Sequence, residues 1–190
     1  KLKNFVSKKF GYLDILINNA SILGEIGPYY QTNSKKWENT FKNNFLSTYI
    51  CCKIFLDLIK KSKIKKIINV AGGGAFDNFP NFSAYAVSKA AIVRFTETIA
   101  QELIKMKIEV YGIAPGFVIT PMHNKIFTTG INKVGKQHYK FVKSKLNKGS
   151  IPINLVAECI KFLISQKSNG LTGKTISVGF DDWQKKDFPN

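Results

Sequence analysis

The sequence has almost no arginine. Lysine and arginine together number 29, and Arg94 is the single arginine among them. A formal net charge of +17 raises binding to nucleic acid or to an anionic membrane surface. Forked recognition of base edges and phosphates favours arginine, however, and here lysines are scattered through every segment. Specific nucleic-acid binding is set aside on that ground, leaving only non-specific phosphate attraction at low salt. No apolar run reaches the roughly 18 residues that a membrane span needs, so no membrane partner is expected. Cysteine is scarce too. Cys51, Cys52 and Cys159 are odd in number, and two are adjacent. That is neither a disulfide framework nor a zinc-ligand spacing, so no metal is expected and the reading is a reducing, cytoplasmic setting. No secretory signal is expected of Lys1 to Phe10, which read as an amphipathic helix fragment, and the sequence shows no internal repeat or low-complexity linker. There is also no initiator Met, and the chain opens within a helical pattern, so the expectation is a single domain over 1–190 that lacks an N-terminal portion.

What is present is an ordinary globular composition, 44% hydrophobic, enough for one sizeable core. Leu2, Phe5, Val6 and Phe10 keep a helical spacing that Gly11 ends. Short apolar runs follow at 14–20, 65–70, 107–114 and 174–178, the pattern of strands buried on both faces of a parallel sheet. Between them lie helical patterns. The spacing predicts one helix from a Ser34 cap to about Ser62, apolar on more than one side, and another from Tyr85 to about Met106. The inner face of the second is expected to include Ala91, Val93, Phe95 and Leu103. A Lys-rich stretch over 122–149 has a weak helical pattern and reads equally as a cover over a site or a surface insertion. Ile153 to Ser165 is amphipathic. Strands alternating with helices imply βαβ units. The fold class is α/β, a Rossmann-like doubly wound parallel sheet in three α/β/α layers.

The chain is organised around Asn81-Phe82-Ser83-Ala84-Tyr85-Ala86-Val87-Ser88-Lys89. Tyr85 and Lys89 stand four apart, on one face of a helix. An ammonium beside a phenol favours the phenolate and lowers its pKa. Tyr85 is thus a candidate proton donor and acceptor, tuned by Lys89; the pattern also fits two exposed residues on a helix face. Ser83 reads as the helix cap. Ala71-Gly72-Gly73-Gly74-Ala75 follows the second strand and fits neither a G-x-G-x-x-G fingerprint nor a P-loop, so it reads as close backbone approach to a ligand. Asp181-Asp182-Trp183 reads as a cap on the last strand.

These motifs, in this order, resemble the short-chain dehydrogenase/reductase family. Leu13-Asp14-Ile15-Leu16-Ile17-Asn18-Asn19-Ala20-Ser21 resembles the family's Asn-Asn-Ala-Gly strand end, with Ser21 in place of glycine. Trp37 followed by Asn44 resembles the helix that carries a catalytic asparagine, whose backbone carbonyl would hold a water in a proton relay. Tyr85 and Lys89 match the catalytic pair. Pro115-Gly116-Phe117-Val118-Ile119-Thr120 resembles the Pro-Gly loop that meets the nicotinamide. The resemblance implies a cytoplasmic oxidoreductase that uses NAD or NADP on a small carbonyl or alcohol substrate, as a homodimer or homotetramer. The implied catalytic residues are Tyr85, Lys89 and Asn44. The implied cofactor contacts are Asn18, Ala20, Tyr85, Lys89, Pro115, Gly116, Val118 and Thr120. Two departures stand out. Gly72 occupies the place of the family's serine, thirteen residues before Tyr85. The Gly-rich pyrophosphate turn is absent, as are roughly the first three strands that the resemblance implies. A non-catalytic nucleotide-binding protein on the same fold is the alternative. The substrate pocket is expected between the loop after Ala20, the segment after Gly72 and the stretch from Thr120 to Gly149, with Phe76, Phe79, Phe117 and Phe127 among its walls.

Overall fold

A computed structural model of the chain describes residues 1–165, 168, 170–185 and 188. Four strands form one parallel sheet: β1 (Ile15–Asn18), β2 (Lys66–Val70), β3 (Glu109–Ala114) and β4 (Thr175–Ser177), paired in that spatial order. Ile17 sits opposite Ile68, Ile68 opposite Tyr111, and Ile113 opposite Ile176. All five residues of β2 are buried, which is why its apolar run does not alternate with polar residues. The sheet fits the expected Rossmann-like class.

Helices cover both faces. Ile67 and Val110 point to one side, where α3 (Ser47–Lys60) and α4 (Ser83–Leu103) pack through Phe55, Ile59, Ile99 and Ala100. Helix α1 (Leu2–Phe10) joins that side through Val6. Ile68, Tyr111 and Ile113 point to the other side, against Val156, Cys159 and Leu163 of α8 (Ile153–Ile164). One residue of offset between neighbours reverses the face, as the strand period of two requires. Strand β1 pairs with β2 along one edge only among the described residues, and its Ile17 is 42% exposed.

Two local expectations are corrected, and one alternative is decided. The single helix predicted from Ser34 is α2 (Ser34–Phe41), a π-helical turn at Lys42–Leu46, and then α3. Its cap is Asn33, whose side chain accepts the Lys36 amide at 3.2 Å. The hydroxyls of Ser47 and Thr48 donate to the carbonyls of Asn43 and Asn44 across the widened turn. The inner face of α4 is Ile92, Thr96, Ile99 and Leu103, while Ala91, Val93 and Phe95 are only partly buried. Phe95 instead meets Phe45 and Tyr49 edge-on. The Lys-rich stretch forms α5 (Asn124–Thr129), α6 (Ile131–Val134) and α7 (Lys136–Lys148). Their Ile126, Val134 and Val142 are buried with Leu23, Ile26 and Phe82, so the segment is a docked cover over the carboxyl ends of the strands. Beyond β4, Asp181 accepts the Ser177 amide at 2.7 Å and Trp183 donates to Val178 O at 3.1 Å, a cap on the last strand.

Candidate active site

The carboxyl ends of β2 and β3 open onto a cavity of about 680 Å³, within the usual size of a small-molecule site. This is where open α/β sheets bind ligands. The turn after β2 brings Gly72, Gly73 and Gly74 to its wall, and the loop after β3 brings Pro115, Gly116, Val118 and Thr120. Gly116 has φ 76°, a left-handed conformation that glycine adopts without penalty.

Helix α4 delivers Tyr85 and Lys89 from its first two turns into the same cavity. Lys89 Nζ donates to Val70 O at 2.9 Å and lies 5.6 Å from the centroid of the Tyr85 ring. The two residues therefore meet as cation and ring face. This differs from the expected pKa relation. Burial pushes the Tyr85 phenol up to about 12 and pulls the Lys89 ammonium down to about 8. Desolvation of each charged form is the cause of both shifts.

Asn44 lies in the π-helical turn and is 1% exposed. Its Oδ1 accepts the Ile22 amide at 2.8 Å, and its Nδ2 donates to Ile22 O and to Ser88 Oγ, each at 3.0 Å. Ser88 Oγ in turn donates to Tyr85 O at 2.7 Å. Asn44 thus ties the loop after β1 to the tyrosine turn of α4 without lining the cavity, while its backbone carbonyl accepts the Thr48 hydroxyl at 3.0 Å. A π-turn at such a place is a recurrent feature of functional sites. Ser83 is not the helix cap. Its hydroxyl accepts Trp37 Nε1 at 3.0 Å, which fixes α2 to the start of α4.

Asn18 and Ala20 do not line the cavity, whereas their neighbours Asn19 and Ser21 do. Asn18 Nδ2 donates to Asn69 Oδ1 at 2.8 Å, and Asn69 Nδ2 donates to Thr96 Oγ1 at 2.9 Å. This buried amide relay joins β1, β2 and α4, and the sequence carried no signal for it beyond an Asn inside an apolar strand. Ser21 Oγ is buried and has no hydrogen-bond partner. His123 and His138, missed from the sequence, line the cavity beside Phe117 and Phe79. Burial lowers both imidazole pKa values, and for His138 the charge of His123 adds to the effect. Phe127 packs on Tyr139 instead of facing the cavity. Cys52 and Cys159 are buried thiols pushed up to about 12 by desolvation, the core role expected of them.

Comparison with known proteins gives a consistent picture. Residues 1–130 match the family model described as short chain dehydrogenase. The 3-oxoacyl-[acyl-carrier-protein] reductase FabG of Buchnera aphidicola is 30% identical over 94% of this chain and 69% of its own length. The short chain dehydrogenase pigC of Monascus ruber is 27% identical over 93% of this chain and 54% of its own length. The chain thus spans about half the length of several such relatives. Among solved structures, aldohexose dehydrogenase from Thermoplasma acidophilum superposes with a TM-score of 0.81 at 21% identity, over 93% of this chain and 70% of that one. A short chain dehydrogenase from Shigella flexneri complexed with NADP gives 0.78 at 22% identity, over 94% and 68%. At these identities the structural likeness establishes the fold.

Proposed function

We propose, on the premise that the chain belongs to the short chain dehydrogenase family, that its cavity serves proton-coupled hydride transfer between NAD or NADP and a small carbonyl or alcohol compound. The observation that carries this is the convergence of Tyr85 and Lys89 on one cavity at the carboxyl ends of β2 and β3. The residues present fit the nicotinamide end of such a cofactor. Ser21 Oγ is a buried hydroxyl without a partner in the cavity wall. At Gly73 a Cβ would meet nothing closer than 3.9 Å, which leaves backbone open to a ligand. Ser21, Val118, Thr120 and Lys89 would hold that end, and the bound cofactor supplies or accepts the hydride.

The chain's own contribution is binding, orientation and the proton. During reduction Tyr85 Oη gives its proton to the substrate oxygen, and during oxidation it takes the proton from the alcohol. A phenol held near 12 keeps its proton until the substrate oxygen becomes basic. The Lys89 ammonium over the ring then stabilises the phenolate left behind. Asn44 holds the loop at Ile22 and the turn at Ser88 in register, which fixes Tyr85 against the cavity. A cytoplasmic homodimer or homotetramer completes the proposal, supported by unpaired cysteines and by exposed Tyr49, Ile50 and Ile54 on α3.

Gly72 favours a second reading, a nucleotide-binding protein without turnover, because no side-chain hydroxyl stands there to polarise a carbonyl. The test is NADH and NADPH binding by the full-length protein, followed by cofactor oxidation with a panel of ketones. Turnover that falls about 10²-fold or more in Tyr85→Phe supports the acid/base role. Cofactor binding with no turnover on any ketone supports the second reading. Activity undiminished in Tyr85→Phe overturns the role given to the phenol.

A further inference from the structure

One cavity wall is a continuous run of rings that starts beside Tyr85, whose ring meets Phe79 edge-on at 6.2 Å. Phe79 meets His138 edge-on at 4.8 Å between centroids, and His138 stacks on Phe141 at 5.9 Å and 29°. Phe141 meets Phe117 edge-on at 5.8 Å, and Phe117 meets His123 at 4.5 Å. These rings come from the loops after β2 and β3, the turn before α5, and α7, and all five line the cavity. Together the edge-on and stacked pairs present both ring faces and ring edges to a ligand, the two surfaces another aromatic ring prefers to meet.

The charge of the wall is equally distinctive. In a chain of net charge +17, Lys89 and Asp77 are the only charged side chains among the described residues that line the cavity. Lys89 donates to Val70 O and lies over the Tyr85 ring at the reacting end, and Asp77 is exposed at the rim. Away from Lys89, a carboxylate or phosphate on the substrate would meet no cation in the lining and would face Asp77. An ammonium would face Lys89. The two histidines are pulled towards their neutral form by burial, so they offer hydrogen bonds instead of charge. Nδ1 of His123 already lies within 3.3 Å of Thr120 atoms.

We infer that the substrate is an uncharged, ring-bearing aromatic carbonyl compound, held between the rings of Phe79, Phe117, His138 and Phe141. The inference rests on reading this cavity as the hydride-transfer site and adds the class of molecule that enters it. Phe141, 46% exposed, can be shortened without opening the core.

The test uses the full-length protein with three probes: the bicyclic ketone tetralone, an open-chain ketone of the same carbon count, and the open-chain keto acid. Binding is measured calorimetrically, and kcat/KM by oxidation of the reduced cofactor. Tetralone is expected to bind, and to turn over, at least about tenfold better than either open-chain probe, since ring pairs add to the area term. Phe141→Ala is expected to weaken tetralone about tenfold and the open-chain ketone less than about threefold, by the same reasoning. Preference for the open-chain ketone or the keto acid overturns the inference and leaves the oxidoreductase reading intact, as does equal loss for both ketones in Phe141→Ala. Selective tetralone binding without turnover of any probe does the reverse. Absence of tetralone binding overturns the inference outright.

Discussion

The Tyr85 hydroxyl lies 3.0 Å from the point where a Cβ on residue 72 would stand. Glycine at that position lets the phenol approach the turn after β2 closely. Any side chain there must displace the ring by a few tenths of an ångström, with Lys89 Cε 3.7 Å behind it. Gly72→Ala imposes the Cβ crowding alone, and Gly72→Ser adds a hydroxyl to the same Cβ. If a side-chain donor aids the reaction, the Ser variant should exceed the Ala variant in kcat by about tenfold or more, the scale on which one oxyanion donor acts. Equal rates in the two variants would mean that backbone or solvent already supplies the donor. Steady-state kinetics of the pair checks this.

Lys89 makes stability depend on pH in a defined direction. Burial lowers its ammonium from about 10.5 to about 8, so between those values the unfolded chain binds more protons than the folded one. Stability from this site therefore rises as pH increases from 8 to 10.5 and is lost as pH falls through 8. The span corresponds to about 3 kcal/mol. Tyr85 runs the other way, and only between about 10 and about 12, where the folded state keeps a proton that the unfolded state gives up. Urea denaturation of wild type and Lys89→Met at about pH 7 and about pH 9.5 isolates the lysine, because Met cannot titrate. The wild type should gain on the variant at the higher pH. A difference that does not change with pH would place Lys89 in a wetter environment than the one described.

Much of this was legible before the structure. β2 and β3 read as strands because a strand buried on both faces must be apolar throughout. Tyr85 and Lys89 read as a pair because four residues make about one helical turn. The faces of α4 were not legible. Apolarity favoured Phe95, but Thr96 points inward because Asn69 supplies a partner for its hydroxyl, and that partner comes from a strand 27 residues away. Asn44, in the π-turn, finds its partner at Ile22, equally remote in sequence. The histidines were missed because nothing near His138 in sequence announces Phe79. Each of these required a tertiary contact, whereas the legible features required only a local period.

Asn44 is predicted to be a positioning residue whose loss is first felt at Ile22. Its amide satisfies both backbone groups of Ile22 and the Ser88 hydroxyl. Asn44→Ala leaves the Ile22 amide and carbonyl without their side-chain partner, while Ser88 keeps Tyr85 O, a cost of about 1–3 kcal/mol. Amide exchange at Ile22 should accelerate more than exchange in β2 and β3, since the Ile22 amide is held by this one side chain and the sheet amides by their ladders. Uniform acceleration across the sheet would make Asn44 an ordinary core residue.

Lys66 tests the opposite end of the sheet. It opens β2, and its buried Nζ donates to Leu163 O and Ser165 O at 3.0 Å and to Ser168 Oγ at 2.9 Å, with Glu109 Oε2 at 3.0 Å. The ammonium therefore holds the last carbonyls of α8, where a helix carries its partial negative charge. Lys66→Met keeps the length of the stem and removes the charge. It leaves the Glu109 carboxylate without its cation, while Leu163 O and Ser165 O keep the Ser168 hydroxyl, and should cost about 3 kcal/mol by chemical denaturation. A double variant that also carries Glu109→Gln should recover part of that loss, because the uncompensated carboxylate is gone. Lys66 binds at the amino end of β2 and the cavity lies at the carboxyl end, so kcat of the folded fraction should match wild type in both variants. Loss of kcat without loss of stability would show that this end of the sheet reaches the cavity by a route other than folding.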